Sequence, residues 1–447
     1  MMQRILILLL AAALSPTAGW AQKAPLTLED AVRLALQRNP SILVSQDELD
    51  ELKGKITEVR SSAYPQVAFQ GYGMRSRDPM ILNSSSFDKV PEEFRNALVP
   101  SPSNLFEIGV NLKQPIYTAG KVRTAIRLAE ESLSEKEASR EEVRQQVIFR
   151  VFQAFHDILL AKANKEVVLE NQQQRVKHLE QARARFDSGV ATQIDVLRSE
   201  VDVANLEPVL IRAENRIGLA RAALNNLIVE DLESPTEIAG TLDYKPWPMG
   251  SLDEIQKRAI DQRAEIQAAR RIVNEARLML SLANAEKKLS VDLDAFYGYN
   301  VREPQNFFDS DYSRWNFTFN FKLPFIDSGR KRGLVAQAAA RLRASQQRLT
   351  LLEMSVRLDV KQAYDDMQSA AKAIAAAKLS VSQAEKVLEM MQANYRYGAA
   401  TTLDVTDSQT ALTVARSLQI SATYDYEIAK ARLRLASGNP ILDREVN

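Results

Sequence analysis

Asp404 and Asp407 stand three residues apart within a helical pattern, which puts both carboxylates on one helix face, where they can attract cations. Asp195 and Asp404 each fall in the first turn after a Gly-containing break, a place where the helix dipole stabilises an acid whatever else it does. The only histidines, His156 and His178, sit inside helical pattern, a setting for packing or surface roles rather than metal ligation or base catalysis. With no cysteine, the chain has no disulfide, no thiolate chemistry and no lipid-bearing Cys. It carries no P-loop, no Gly-rich dinucleotide turn and no Cys/His metal spacing. No catalytic constellation and no cofactor site emerge, so energy for any transport must come from a partner. A net charge of +1, from 58 basic and 57 acidic residues, gives no whole-chain pull toward nucleic acid.

These residues belong to a chain written twice. Phe186, Gly189, Thr192, Ile194, Asp195 and Val196 reappear as Tyr395, Gly398, Thr401, Leu403, Asp404 and Val405, each 209 positions later. Gln114-Pro115-Ile116-Tyr117-Thr118-Ala119-Gly120 matches Leu323-Pro324-Phe325-Ile326-Asp327-Ser328-Gly329 at the same spacing. Near Thr27-Leu28-Glu29-Asp30 and Ser251–Ile255 the match is looser and the spacing is 224 or 225, so the first copy has the longer loop between its strands. Repeats of roughly 200 residues are duplicated domains, because stacked solenoid units repeat every 20 to 50. The two copies run over 22–233 and 251–440, joined by a Pro-containing linker, 234–250, and followed by a short tail, 441–447. Residues 1–21, with Arg4, an apolar run and Gly19-Trp20-Ala21, read as a signal peptide cleaved before Gln22. The competing reading, a membrane anchor, lacks the ~20 apolar residues a spanning helix needs.

Each copy must position its turn at the end of very long helices. From Val356 through Val360, Ala363, Met367, Ala370, Ile374 and on to Tyr395, small and apolar residues keep a 4,3 spacing, a sustained heptad seam. Val147, Val151, Ala154, Ile158 and Ala161 repeat it in the first copy, beside a second stripe of Ile148, Phe152, Phe155 and Leu159. Two adjacent seams let a helix pack on both sides, as in a ring. Residues 121–187 contain neither Pro nor Gly, so that helix extends about 100 Å. Pro208 should kink the returning helix of the first copy, where the second has Ser417. The helix pairs turn at tips spanning 187–192 and 396–402.

Between the helices lie segments of alternating polarity, at about 65–74, 106–115, 290–300 and 313–323. In the last, Trp315, Phe317, Phe319 and Phe321 alternate with Asn316, Thr318, Asn320 and Lys322. Such segments fit transmembrane β-strands, or one face of a soluble sheet. Four strands cannot close a barrel, and lipid does not tolerate an open edge. Membrane strands therefore demand oligomerisation, with two chains giving eight and three giving twelve.

The duplicated order, the two strand-to-helix junctions and the paired turns together resemble the TolC-like outer membrane efflux proteins, over nearly the whole mature chain. The resemblance implies a mainly α fold with a small β part, assembled as a homotrimer: an α-helical barrel continuous with a shared 12-stranded β-barrel in outer membrane lipid. It implies an exit duct for a tripartite efflux or type I secretion system, fed by an inner-membrane pump through a periplasmic adaptor. The tips, Gly189, Val190, Gly398 and Ala399, would meet the adaptor. Tyr395 and Asp195 match a periplasmic gate pair, Asp404 and Asp407 a pore constriction. Where that pattern has an arginine, this chain has Ala400, so a gate bond is missing. Tyr395 also occupies a heptad position, which leaves packing as the competing role. The competing protein class is a periplasmic coiled-coil scaffold or adaptor, which has no reason to keep aromatic-rich alternation in both copies.

Overall fold

A computed structural model describes residues 25–442. The signal-peptide segment and residues 443–447 lie outside the described residues.

In the first copy α1 (Leu28–Arg38) and α2 (Pro40–Ser61) lead to β1 (Gln66–Ser76). A loop carrying α3 (Glu92–Leu98) precedes β2 (Ser103–Tyr117), and the helix pair is α4 (Lys121–Asp187) followed by α5 (Gln193–Ala204) and α6 (Glu207–Ile228). The second copy has α7 (Leu252–Gln262), α8 (Ala264–Ala285), β3 (Ser290–Val301), β4 (Ser313–Lys322), α9 (Arg330–Arg396) and α10 (Thr402–Ala436). The opening helix of each copy is broken in two. Pro40 cannot donate to α1, so Asn39 adopts an extended backbone that closes α1 and caps α2. Arg263, also extended, closes α7 and precedes α8 without a side-chain cap.

Both α4 and α9 are 67 residues long, about 100 Å. Each starts from a strand-to-helix junction with two successive left-handed residues, Ala119-Gly120 and Ser328-Gly329. In the first copy the returning helix breaks after Ala204, and Pro208 sits in the first turn of α6. With Ser417 at the matching position, α10 runs 35 residues unbroken.

Packing arranges the helices in one layer, four wide. Toward the tips the order is α5/α6, α4, α10, α9; toward the sheet it is α2, α4, α8, α9. Thus α2 takes over from α6 and α8 from α10. The first handover is tied by Asn39 Nδ2 donating to the Leu227 carbonyl at 3.0 Å, and by Arg38 paired with Glu230 at 2.8 Å. Two apolar cores lie at this waist. Ala31, Val32 and Ala35 of α1 pack with Val151, Phe155 and Ile158 of α4 and with Leu224 and Ile228 of α6. Ile255 and Ala259 of α7 pack with Val356, Val360 and Met367 of α9 and with Tyr426 and Leu433 of α10. The seam residues that α4 and α9 bury at the waist are those of the 4,3 spacing.

The strands form one antiparallel sheet in the order β1-β2-β3-β4, with β1 and β4 as edges. One face is apolar and bare: Phe69, Trp315, Phe317 and Phe321 are each about two-thirds exposed or more. The other face is polar. There Glu107 is buried, bonded by Arg314 at 2.7 Å and by Asn300 at 3.2 Å, and Asn320 reaches Asp294 at 2.6 Å. Gly109 faces Gly298 across β2 and β3, and the Phe296 ring lies over the notch they leave.

Candidate functional site

The tip is built from two matching turns. Gly189 and Gly398, at φ +75° and +76°, close α4 and α9 in the left-handed region that a side chain would strain. Val190 N donates back to Arg185 O and Ala399 N to Asn394 O, at 2.9 and 2.8 Å, satisfying carbonyls that the helix ends leave open. Thr192 and Thr401 then start α5 and α10 through capping boxes whose acids are Asp195 and Asp404. Asp195 Oδ2 accepts from the Thr192 amide at 3.0 Å and hydroxyl at 2.7 Å; Asp404 Oδ2 accepts from both Thr401 groups at 2.7 Å. The Thr hydroxyl and then the Thr amide hold each carboxyl below the ordinary aspartate range.

Tyr395 lies one turn back from the α9 tip with only 5 % of its surface exposed. Its phenol does not touch Asp195. Thr402 stands between them, its Oγ1 3.4 Å from the Tyr395 oxygen and 3.3 Å from Asp195 Oδ1. A threonine hydroxyl has one proton and the carboxylate none, so Thr402 donates to Asp195 and accepts from the phenol. A three-residue relay therefore replaces the direct bond that the gate match implies.

Two residues of the first copy flank the Tyr395 ring. Arg185 puts its guanidinium 4.7 Å from the ring centroid, and its Nη1 donates to the Tyr395 carbonyl at 2.7 Å. The His178 ring lies 5.1 Å away, inclined at 52°. Burial lowers the His178 pKa against the opposing pull of Asp202. Further from the tip, Arg175 pairs with Asp202 at 3.4 Å and donates to Thr410 at 2.9 Å, and Thr406 donates to Asp202 at 3.3 Å. Polar bonds thus join the two coils of one protomer along the tip. Arg185, Thr402 and His178 are absent from the sequence-derived set. The usable signal was the asymmetry of the repeat, since Arg185 aligns with Asn394 and Thr402 with Gln193 where the surrounding turn is duplicated.

The remaining candidates are on the outside of the protomer. Asp404 and Asp407 are exposed on one side of α10, and the tip residues Gly189, Val190, Gly398 and Ala399 are open, with Tyr397 beside them 88 % exposed. His156 is buried at the waist, its Nδ1 2.8 Å from the Phe152 carbonyl and its ring stacked on Phe152. Among the described residues no His/Asp/Glu cluster could hold a metal ion, and no helix is long and apolar enough to cross a membrane.

A bare aromatic sheet face carried on a helical layer about 100 Å long defines a class: channel proteins that pass through the outer membrane by strands and reach away from it by helices. Residues 31–228 and 255–439 match the outer membrane efflux protein family, and the chain belongs to it. It is 25 % identical to the outer membrane protein TolC of Vibrio cholerae, over 98 % of this chain and 96 % of that one. Among solved structures it superposes on VceC of Vibrio cholerae with a TM-score of 0.77 (22 % identity, 93 % of this chain and 97 % of that one). It superposes on the outer-membrane channel OprN with a TM-score of 0.80 (17 % identity, 93 % and 90 %). The chain is an outer-membrane exit channel with a long periplasmic extension, and it is not an enzyme.

Proposed function

We propose that three copies of this chain close a 12-stranded barrel in the outer membrane and a helical tunnel below it. In this reading the assembly serves as the passive exit duct of a tripartite efflux or type I secretion system. The observation that carries it is the four-stranded sheet with two open edges and an apolar aromatic face. An unpaired edge costs several kcal/mol per lost bond in hydrocarbon, so β4 of one chain must pair with β1 of the next. The helical layer supports the same closure. Its outer members bear exposed apolar residues, Ile194, Leu197 and Val201 on α5 at one edge and Leu379, Val387 and Met390 on α9 at the other. Two unlike edges that fit each other join head to tail and close a ring.

The tips then point into the periplasm. Gly189, Val190, Gly398 and Ala399 form the surface that meets an adaptor, which couples the duct to an inner-membrane pump. Tyr395 and Asp195 act as the periplasmic gate through Thr402, and Asp404 with Asp407 forms the constriction. Cross-linking in native membranes tests the assembly: the ladder should stop at three chains, and unheated and heated samples should differ in gel mobility. Recovery of a detergent-free monomer from the periplasmic fraction would overturn it.

A further inference from the structure

We infer that Arg185 is the residue that holds the gate tyrosine shut, and that it does so within a single protomer. The inference rests on the reading of Tyr395 as a gate residue. Three observations carry it. The Arg185 guanidinium lies 4.7 Å from the centre of the Tyr395 ring, within cation–π range. Its Nη1 donates to the Tyr395 backbone carbonyl at 2.7 Å, a bond from a charged donor. That carbonyl already accepts the tip hydrogen bond from Gly398 N at 3.1 Å, so one guanidinium grips both the gate side chain and the turn that carries it.

The arginine is on α4 and the tyrosine on α9, so the grip joins the two coils that must separate for the tip to widen. Arg185 is also the element that breaks the repeat. Its counterpart, Asn394, has no guanidinium to offer Phe186, and the first-copy turn has no matching clamp. Ala400 leaves the second tip without an arginine after its glycine, and Arg185 brings a cation to Tyr395 from the other coil. The ring has His178 as a further neighbour, which leaves Tyr395 little room to move while Arg185 is in place.

The experiment uses the full trimer and two readouts: conductance in planar bilayers, and maleimide labelling of Ser199→Cys in intact outer membranes. Ser199 is 2 % exposed at the tip and the parent chain has no cysteine, so labelling reports separation of the packed tip. Arg185→Met keeps the length and packing of the stem but removes the charge and the donor. It should raise the open-to-closed ratio about ten-fold or more, the scale of one lost charged hydrogen bond, seen as faster labelling and higher conductance. Arg185→Lys should fall between Met and the parent, because an ammonium can serve the ring or the carbonyl but has no planar fork to serve both. Tyr395→Ala is the control. If it opens the tip while Arg185→Met behaves like the parent, Arg185 is a packing residue and the clamp is wrong, though the gate reading stands. If Tyr395→Ala changes neither readout, the tip is not the gate and both fall.

Discussion

Tyr395 shows how much a single hydroxyl can be asked to do. Its phenol meets Thr402 at 3.4 Å, a long neutral bond worth about 0.5–1.5 kcal/mol rather than the larger value of a bond made directly to a carboxylate. Tyr395→Phe should therefore raise single-channel conductance only modestly, and Thr402→Val, which removes that bond and the one to Asp195, should raise it at least as much. A large effect of Tyr395→Phe with none from Thr402→Val would mean that the phenol reaches another acceptor. His178 adds a pH dependence. Its folded pKa is depressed, chiefly by burial, with Asp202 opposing and Arg175 adding to the shift. Tyr395 of α9 and Asp202 of α5 face it, with Arg175 one turn away on its own helix. The unfolded chain takes up the proton first, so the tip keeps its full stability above about pH 6.5 and loses it as pH falls toward the depressed folded value. Acidifying from pH 7.5 to 5.5 should speed labelling of Ser199→Cys relative to a fully exposed control cysteine labelled at the same pH, because loss of thiolate slows both alike. His178→Gln should flatten that dependence; an unchanged pH profile in the variant would assign the effect to other groups. His156, buried at the waist and depressed for the same reason, is the group to exclude by His156→Gln.

At the scale of elements, the sheet depends on two glycines that meet across β2 and β3. A Cβ on Gly298 would come within 2.1 Å of the Ile108 carbonyl oxygen and within 2.8 Å of the Phe296 ring. The obstacle is backbone, which cannot give way as a flexible side chain can. Gly298→Ala should therefore lower the heating temperature at which the oligomer dissociates in detergent, whereas Gly218→Ala, in an open helical position, should leave it unchanged or raise it. Equal dissociation temperatures for the two would show that the strands separate to accommodate the methyl group. The helices present the opposite case. Their boundaries follow from local chemistry: Pro40 and Pro208 in first turns, Gly189 and Gly398 after last turns, and threonine-aspartate capping boxes.

At the scale of the whole molecule, Asp404 and Asp407 acquire meaning only from copies. In one chain they are two exposed acids, and Asp404 is already engaged by Thr401. Around a threefold axis they would converge as a ring of carboxylates, making the pore cation-selective and open to block by multivalent cations from the periplasmic side. Asp404→Ala with Asp407→Ala should abolish that block. The double variant also removes the capping-box acid of α10, so Asp407→Ala alone is the cleaner arm. Block that persists in both variants would return these acids to the helix-dipole role of acids near a helix start.

The duplication, the 4,3 seams, the tip glycines and the alternating strands were legible in the chain because each is a local or periodic property. A seam residue such as Val151 or Val360 is apolar at helical spacing whatever it packs against, and a left-handed turn needs its glycine before any tertiary contact forms. What the tertiary structure alone decided is which groups meet between the coils. Arg185 and Tyr395 are 210 positions apart, and Thr402 and Asp195 are 207 apart. Their meeting depends on the lateral order of α4, α5, α9 and α10 and on the stagger of two helices each about 100 Å long. A shift of one residue along such a helix turns a side chain by about 100°, so no reading of spacing within one helix could have placed the Arg185 guanidinium over that ring.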